Sequence, residues 1–257
     1  MKVHILATCR KPELIGGTLL VFGSLRVGFP TSEIVVYDNA NDPDAKAAIA
    51  SECERSGCKV VEFHTKVNHG DWVDSLVSNE TDPFWICDTD VIFWKTVEQW
   101  MLNPGACLSG IPMPEFFDSY SQSWSQPRIH TCLMHVRPAE IRSSLKLKHF
   151  PEDDPFKIQA APMVRPFWFL DHNGRRVFYD TASMLSAHVP CRELSDEQMD
   201  CFDHLNGGTY YDLLRGHYDP SGSWHERVFL NPEIARGSWR NMRKMFQSLG
   251  KLNLIPK

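Results

Sequence analysis

The sequence predicts an α/β fold in which helices flank a mainly parallel sheet. Three observations support this prediction: short apolar runs rich in β-branched residues recur, helical stretches separate them, and turn-forming residues follow them. Strands that alternate with helices at this spacing form parallel sheets that are covered on both faces. This pattern holds through about residue 110, and the rest of the chain is less regular.

The first half contains four predicted strands and three predicted helices. In chain order they lie at 3–7 (strand), 11–26 (helix), 33–37 (strand), 44–56 (helix), 59–63 (strand), 71–78 (helix) and 83–87 (strand). Pro12 suits the first turn of the first helix, since its missing N–H has no helical partner there. Gly57 is a stop signal for the second helix, because glycine readily adopts the left-handed conformation.

The second half gives weaker signals. We predict strands at 106–110 and 130–136, a helix at 138–145, and loops at 112–127 and 148–166. Apolar runs at 167–170 and 176–179 flank Asn173-Gly174, which predicts a hairpin with a two-residue turn. Asp180-Thr181 is placed to cap a helix that runs through Ala187.

Composition narrows the class of protein. The net charge of −5 argues against a nucleic-acid partner, and no apolar stretch approaches the roughly 20 residues of a transmembrane helix. The 8 cysteines lack paired CxxC spacing, and the first residues do not resemble a signal peptide. We therefore expect reduced thiols and a cytoplasmic protein.

The triplet Asp88-Thr89-Asp90 carries the clearest chemistry. It follows the apolar run 84–87 and precedes the apolar run 91–94, and ligands of open α/β sheets bind at the carboxyl ends of strands. Two close carboxylates repel each other unless a cation lies between them. A bare triplet of this kind is also common in turns, but two acids between apolar runs are costly to bury without a counter-charge. The context therefore predicts a site for Mn²⁺ or Mg²⁺.

The chain resembles the GT-A glycosyltransferases, especially their family 2-like group. The resemblance rests on the segments 34–39 and 85–90, each a strand that ends in acidic or amide residues, and on the late segment 203–208. It implies a single GT-A (Rossmann-like) domain over 1–257, with a nucleotide-binding half (1–110) and an acceptor-binding half (111–257). It also implies metal-dependent transfer of a sugar from a nucleotide-diphosphate sugar to a hydroxyl acceptor, in particular a saccharide.

The resemblance also implies roles for individual residues. The expected nucleotide-binding residues are Thr8, Arg10, Asp38, Asn39, Asp88 and Thr89. A late histidine is the third protein ligand of the metal in several GT-A families. His204 matches this role beside Asp88 and Asp90, and His188 and His217 are alternatives. Trp124, in a polar stretch, is the expected stacking platform for an acceptor sugar.

The sequence does not identify which residue is the general base. Asp180 and Asp118 are the leading candidates, and Glu115 and Asp171 are alternatives. The Glu-Asp motif that serves this purpose in family 2-like enzymes is not evident, so both inverting and retaining chemistry stay open.

Two other functions compete with glycosyl transfer. A nucleotidyltransferase with a similar sheet would carry a glycine-rich phosphate loop after the first strand. The segment 15–18 lies inside the predicted first helix and lacks that pattern. A non-catalytic GT-A-like binding domain is the second alternative, because a fold does not prove a function.

Overall fold

Strands and helices alternate over residues 2–87, as the sequence predicts. The structure is a computed structural model, and it describes residues 1–8, 15–40, 42–100, 105–118, 122–146 and 167–204. The elements of the first half are β1 (Lys2–Ala7), α1 (Ile15–Gly28), β2 (Glu33–Asp38), α2 (Pro43–Ser56), β3 (Lys59–Glu62), α3 (His69–Asn79), β4 (Phe84–Cys87) and β5 (Val91–Phe93).

Helix α2 shows why the local signals work. The Asp42 carboxylate accepts hydrogen bonds from the backbone N–H groups of Asp44 and Ala45, and Pro43 opens the helix. Gly57 ends it with φ 65°, and its N–H donates to Glu54. The predicted stop at Gly57 is therefore confirmed.

The second half contains more strands than predicted. Its elements are β6 (Leu108–Met113), β7 (Phe116–Asp118), β8 (Ser123–Ser125), β9 (Arg128–Val136), α4 (Pro138–Lys146), β10 (Phe167–Leu170), β11 (Arg176–Tyr179), α5 (Ser183–His188), β12 (Cys191–Glu193), α6 (Asp196–Met199) and β13 (Phe202–His204). The prediction of a loop over 112–127 is wrong, because β7 and β8 lie there. Each has three residues, which is too few for a period to show in the sequence.

Two further predictions need correction. The hairpin of β10 and β11 is antiparallel as predicted, but five residues connect its strands. The Asp171 carboxylate closes this loop by accepting from the N–H groups of Asn173 and Arg175. Helix α5 begins after Ala182, which has φ 66° and gives no side-chain cap. The Asp180 carboxylate bonds the N–H of Thr181 instead of capping the helix.

Three sheets organise these strands. The central sheet has seven strands in the order β12-β6-β9-β4-β1-β2-β3, and the others have the orders β10-β11-β8-β7 and β13-β5. Strands β2 and β3 are parallel, as are β6 and β12, whereas β9 runs antiparallel to β4 and β6. The predicted α/β fold with a mainly parallel sheet is confirmed, and the antiparallel β9 belongs to the less regular half. Among the described residues, no helix combines the length and the apolar character that a membrane crossing needs.

Contacts within the chain divide it into two compact units. One consists of Met1–Lys2, Val67–Cys87 and Met101–Leu194, and the other of Val3–Lys66, Asp88–Trp100 and Ser195–Lys257. In the second unit, the buried rings of Phe29 and Phe93 meet edge to face at 5.2 Å. The buried Ser24 hydroxyl accepts from the Phe93 N–H at 3.2 Å. Helix α1 thus fixes β5, the strand that follows Asp90.

Gly110 is required by close packing within the first unit. A Cβ at this position would lie 2.5 Å from Ile129 Cγ2 and 2.8 Å from the Leu133 carbonyl oxygen. We expect Gly110→Ala to lower the free energy of unfolding by about 1–3 kcal/mol, since backbone cannot yield as a side chain can. Gly23→Ala is the matched control. Its Cβ meets nothing within 4 Å in helix α1, so it should raise stability by about 0.5–1 kcal/mol. Urea unfolding measures both, and equal effects would contradict this packing.

His135 makes stability depend on pH. Its side chain is buried in β9 against the edge of Trp85, with ring centroids 5.1 Å apart. Burial, with a smaller contribution from nearby Arg137, lowers its pKa from 6.5 to about 4. Between these values the unfolded chain binds a proton that the folded protein does not, so stability falls as the pH falls from 6.5 to about 4. The full shift corresponds to roughly 3 kcal/mol.

Unfolding by urea across this pH range measures the effect. His135→Gln should remove the fall in stability, whereas His172→Gln, at an exposed hairpin position, should retain it. A wild-type curve that stays flat between pH 4.5 and 6.5 would show that His135 is not buried in its neutral form.

Candidate metal and nucleotide site

Asp88 and Asp90 lie in a turn between two fully buried strands. All four residues of β4 and all three of β5 are buried, and both acids are partly exposed between them. The apolar runs force the chain into the core on both sides, so the turn sits at the carboxyl end of β4. This is the position that the sequence predicts for the acidic triplet, and Thr89 lies in the same turn.

His204 lies beside Asp90, although more than a hundred residues separate them in the sequence. Strand β13 pairs antiparallel with β5 and sets His204 opposite Val91. The His204 Nε2 atom lies 3.3 Å from Asp90 Oδ1, and both side chains are largely buried. The Trp94 side chain fixes the approach to β13, since its indole N–H donates to the Asp200 carbonyl at 2.7 Å. The structure therefore brings these two predicted ligands together.

The donor atoms at this turn fit a divalent cation. Carboxylate oxygens suit Mg²⁺ and Mn²⁺, and an imidazole nitrogen is a common further ligand of transition metals. The Asp90 Oδ1 atom is buried and faces His204. A buried carboxylate needs a positive partner, which either a cation or a protonated imidazole can supply. Asp88, Asp90 and His204 could supply donor atoms of these kinds.

Asp38 and Asn39 form the polar end of β2. Asp38 is 1% exposed, and its Oδ1 atom accepts from the Ala40 N–H at 2.9 Å. Burial raises the pKa of the Asp38 carboxyl, and Ala40 and Lys46 offset part of that rise. Asn39 donates from its backbone N–H to the Ala7 carbonyl and from its side-chain amide to the Thr8 hydroxyl. The ends of β1 and β2 are thus joined by hydrogen bonds of Asn39.

A polar cleft opens beside Asn39. Its lining consists of Asn39, Ala40, Lys46, Phe63, His64 and Lys66. Phe63 and His64 follow β3, which lies parallel to β2 with Asp38 opposite Glu62. Of these residues only Asn39 was predicted from the sequence, and the other five were missed. The signal that could have found them is that parallel neighbouring strands end at the same edge of the sheet.

The predicted base candidates lie in the other unit. Asp180 Oδ2 is 2.6 Å from Arg128 Nη2, whose side chain is 8% exposed. Asp171 forms an ion pair with Arg175, whose hydrogen bond lowers the pKa of that carboxyl. Glu115 accepts a hydrogen bond from the Gln126 amide at 3.3 Å.

Several predicted residues fall outside the description. Asp118 lies in β7 opposite Ser123, but its side chain is not among those described. Arg10 and His217 lie outside the described residues, as does the part of the late segment that follows His204. The predicted platform Trp124 is half-buried, with its ring centroid 5.2 Å from that of Phe117.

No protein-family profile matches the chain, and no curated protein matches it. Several solved structures are similar. One is the galactosyltransferase LgtC in complex with donor and acceptor sugar analogues, which is 13% identical to this chain with a TM-score of 0.38. The match covers 56% of this chain and 60% of the LgtC chain. The chain therefore spans about three-fifths of the LgtC length.

Two further similar structures cover more of the chain. The mannosyltransferase PcManGT from Pyrobaculum calidifontis, in complex with GDP-Man and Mn²⁺, is 14% identical over 99% of this chain and 76% of its own, with a TM-score of 0.39. A nucleoside-diphosphate-sugar pyrophosphorylase from Vibrio cholerae RC9 is 10% identical, with a TM-score of 0.40. That match covers 82% of this chain and 99% of the pyrophosphorylase chain. The similar structures are thus mainly glycosyltransferases, as the sequence resemblance predicts. The overlap is partial, so the function must come from this chain's own side chains.

Proposed function

We propose that this chain is a metal-dependent glycosyltransferase that moves a sugar from a nucleotide-diphosphate sugar to a hydroxyl acceptor. One observation carries the proposal: the pairing of β5 with β13 brings His204 within 3.3 Å of Asp90, at the turn that also contains Asp88. Two donor side chains from distant parts of the sequence, Asp90 and His204, meet where a strand ends. Such convergence is typical of a metal site and is unusual for acids that only form a turn.

The metal would supply positive charge to the diphosphate leaving group as the sugar departs. Asp88 and Asp90 would hold it through oxygen atoms, and His204 would add a nitrogen. The buried strand β5, which belongs to the same compact unit as both acids, would hold the backbone of the turn in place before any ligand arrives. This preorganisation favours the charge that develops in the transition state, because no side chain has to move when it appears.

Asp38 and Asn39 would bind the nucleoside. Both belong to the same compact unit as the acidic turn, and both are buried at the end of β2. A carboxylate and an amide can take hydrogen bonds from a ribose diol or a base N–H. The Phe63 ring and the Lys46 ammonium of the adjoining cleft add an apolar edge and a hydrogen-bond donor. Asp180 and Asp118 are the proposed general bases for the acceptor hydroxyl.

Product analysis tests the proposal. The purified protein is incubated with UDP-sugars and GDP-sugars, with Mn²⁺ or with EDTA, and the released nucleotide is separated by anion-exchange chromatography. Glycosyl transfer releases UDP or GDP only when metal is present. Consumption of added pyrophosphate, with formation of UTP or GTP and the sugar 1-phosphate, would instead identify a nucleotidyltransferase. If the protein neither binds nor consumes any nucleotide sugar, with or without metal, the chain is a binding domain for another ligand.

A further inference from the structure

The four-stranded sheet β10-β11-β8-β7 exposes an unusual amount of apolar surface. Six large hydrophobic side chains are exposed among the described residues, and four of them lie on this sheet: Phe116, Phe117, Trp168 and Leu170. Their exposed fractions range from 43% to 67%. Single exposed hydrophobic residues need no explanation, but a group on one small sheet indicates a binding surface.

Strand register places most of these side chains on one face of the sheet. Trp168 pairs with Phe178, Phe178 with Ser125, and Ser125 with Phe116. Directly paired residues share a face, so these four form a row across four strands, about 14 Å long at the usual strand spacing. Leu170 and its partner Arg176 lie two residues along their strands on the same face. We call this surface the Trp168 face, defined by Phe116, Ser125, Trp168, Leu170, Arg176 and Phe178.

Arg176 gives the Trp168 face its charge. The guanidinium carbon lies 4.0 Å from the centre of the Trp168 ring, and the Arg176 side chain is exposed. Within the described part of the chain, no carboxylate forms an ion pair with Arg176. Its neighbour Arg175, by contrast, is paired with Asp171 at 2.6 Å. A guanidinium stacked on an indole is held in place while its N–H edges stay open to an anion.

We propose that the Trp168 face binds an acidic saccharide through aromatic stacking and a carboxylate bond to Arg176. The apolar face of a pyranose ring fits against the exposed aromatic rings, and a planar carboxylate matches the two-pronged edge of the guanidinium. The chain carries a net charge of −5, so Arg176, which has no ion pair with a described carboxylate, is the group on this face that would attract an acidic ligand.

A lipid surface fits these observations less well. Membrane-binding faces present a wide apolar area with several cations, which attract anionic head groups together. Here a buried serine interrupts the aromatic row, and Arg176 is the cation on the face. One cation and two separated aromatic groups suit a single small anion better than a bilayer. This inference rests on the proposed function in one respect: it takes the bound saccharide to be the acceptor of the transferred sugar.

Binding without donor or metal separates this inference from the proposed function. Isothermal titration measures the affinity of the full chain for galacturonic-acid oligosaccharides, with neutral galactose oligosaccharides of equal length as the comparison. We expect the acidic ligand to bind at least tenfold more tightly than the neutral one. Arg176→Gln should weaken acidic binding at least tenfold, and Trp168→Ala should weaken both. Arg192→Gln, which removes the same charge from exposed strand β12, should change neither affinity.

The Asp88→Asn/Asp90→Asn variant, whose metal site is disabled, should bind the acidic oligosaccharide as well as the wild type does. That result would hold even if the chain transfers no sugar. Circular dichroism of each variant shows that it is folded. The inference is overturned if neither oligosaccharide binds, or if Arg192→Gln weakens binding as much as Arg176→Gln. Co-sedimentation with phosphatidylglycerol vesicles that depends on Trp168, without saccharide binding, would also overturn it and identify a membrane surface.

Discussion

Replacing Asp88 and Asp90 together with asparagine is expected to abolish the stabilisation that Mn²⁺ and a nucleoside diphosphate give to the protein. A ligand at a hundred times its dissociation constant raises the free energy of unfolding by about 2.7 kcal/mol. Sugar transfer should fall by at least about a thousandfold, because several kcal/mol of charge stabilisation at the leaving group are lost. Thermal unfolding with and without UDP, GDP and Mn²⁺ measures the binding part of this effect.

The same variant should keep its fold when no ligand is present, because asparagine removes both charges with little change in shape. The control variant Asp82→Asn/Glu193→Gln removes two exposed acids outside the proposed site and should keep full metal-dependent stabilisation. A double Asp88/Asp90 variant that still binds nucleotide more tightly with Mn²⁺ would contradict the metal assignment.

Asp38→Asn is expected to raise stability at neutral pH while it weakens nucleotide binding at least tenfold. Burial raises the folded-state pKa of Asp38 above its usual 3.8, so the ionised form is penalised in the folded protein. This penalty is present at pH values above the folded pKa and vanishes below 3.8, where both states bind the proton. Asparagine keeps the oxygen that accepts from the Ala40 N–H but carries no charge. The gain in stability should therefore fade as the pH falls.

Urea unfolding at pH 7 and pH 4, together with titration of UDP and GDP, measures both parts of this prediction. Asp44→Asn is the control, since its side chain is exposed in the first turn of α2 and lies outside the cleft. It should bring no gain in stability and no loss of affinity. An Asp38→Asn protein that is destabilised at pH 7 and binds nucleotide normally would show that Asp38 has a structural role only.

Much of the first half of the chain could be predicted from sequence because its signals are local. The run that becomes β4 is apolar throughout, and acidic residues follow it directly. Neighbouring residues in the sequence are therefore enough to predict the strand, the turn and the candidate site. Gly57 and Pro43 mark the ends of α2 in the same local way. In contrast, β7 and β8 are three residues long, and only their partners in the sheet make them strands.

The site itself is less local. Nothing near His204 in the sequence shows that it faces Asp90. The pairing of β13 with β5 decides this, and strand pairing between distant segments is set by the whole fold. The cleft residues Lys46, Phe63 and His64 escaped prediction for the same reason, because register and packing bring them beside Asn39. The family resemblance pointed to His204, and the structure shows that its neighbour is Asp90.

Anomalous diffraction from crystals soaked with Mn²⁺ and either UDP or GDP tests the central claim most directly. The account predicts one manganese peak at this turn, either within about 2.5 Å of a carboxylate oxygen of Asp88 or Asp90 or joined to one of them through a single bridging water, with the diphosphate bound to the same ion. His204 should turn its Nε2 atom toward the same peak. A nucleotide bound elsewhere with no manganese at this turn, at saturating concentrations of both, would contradict it.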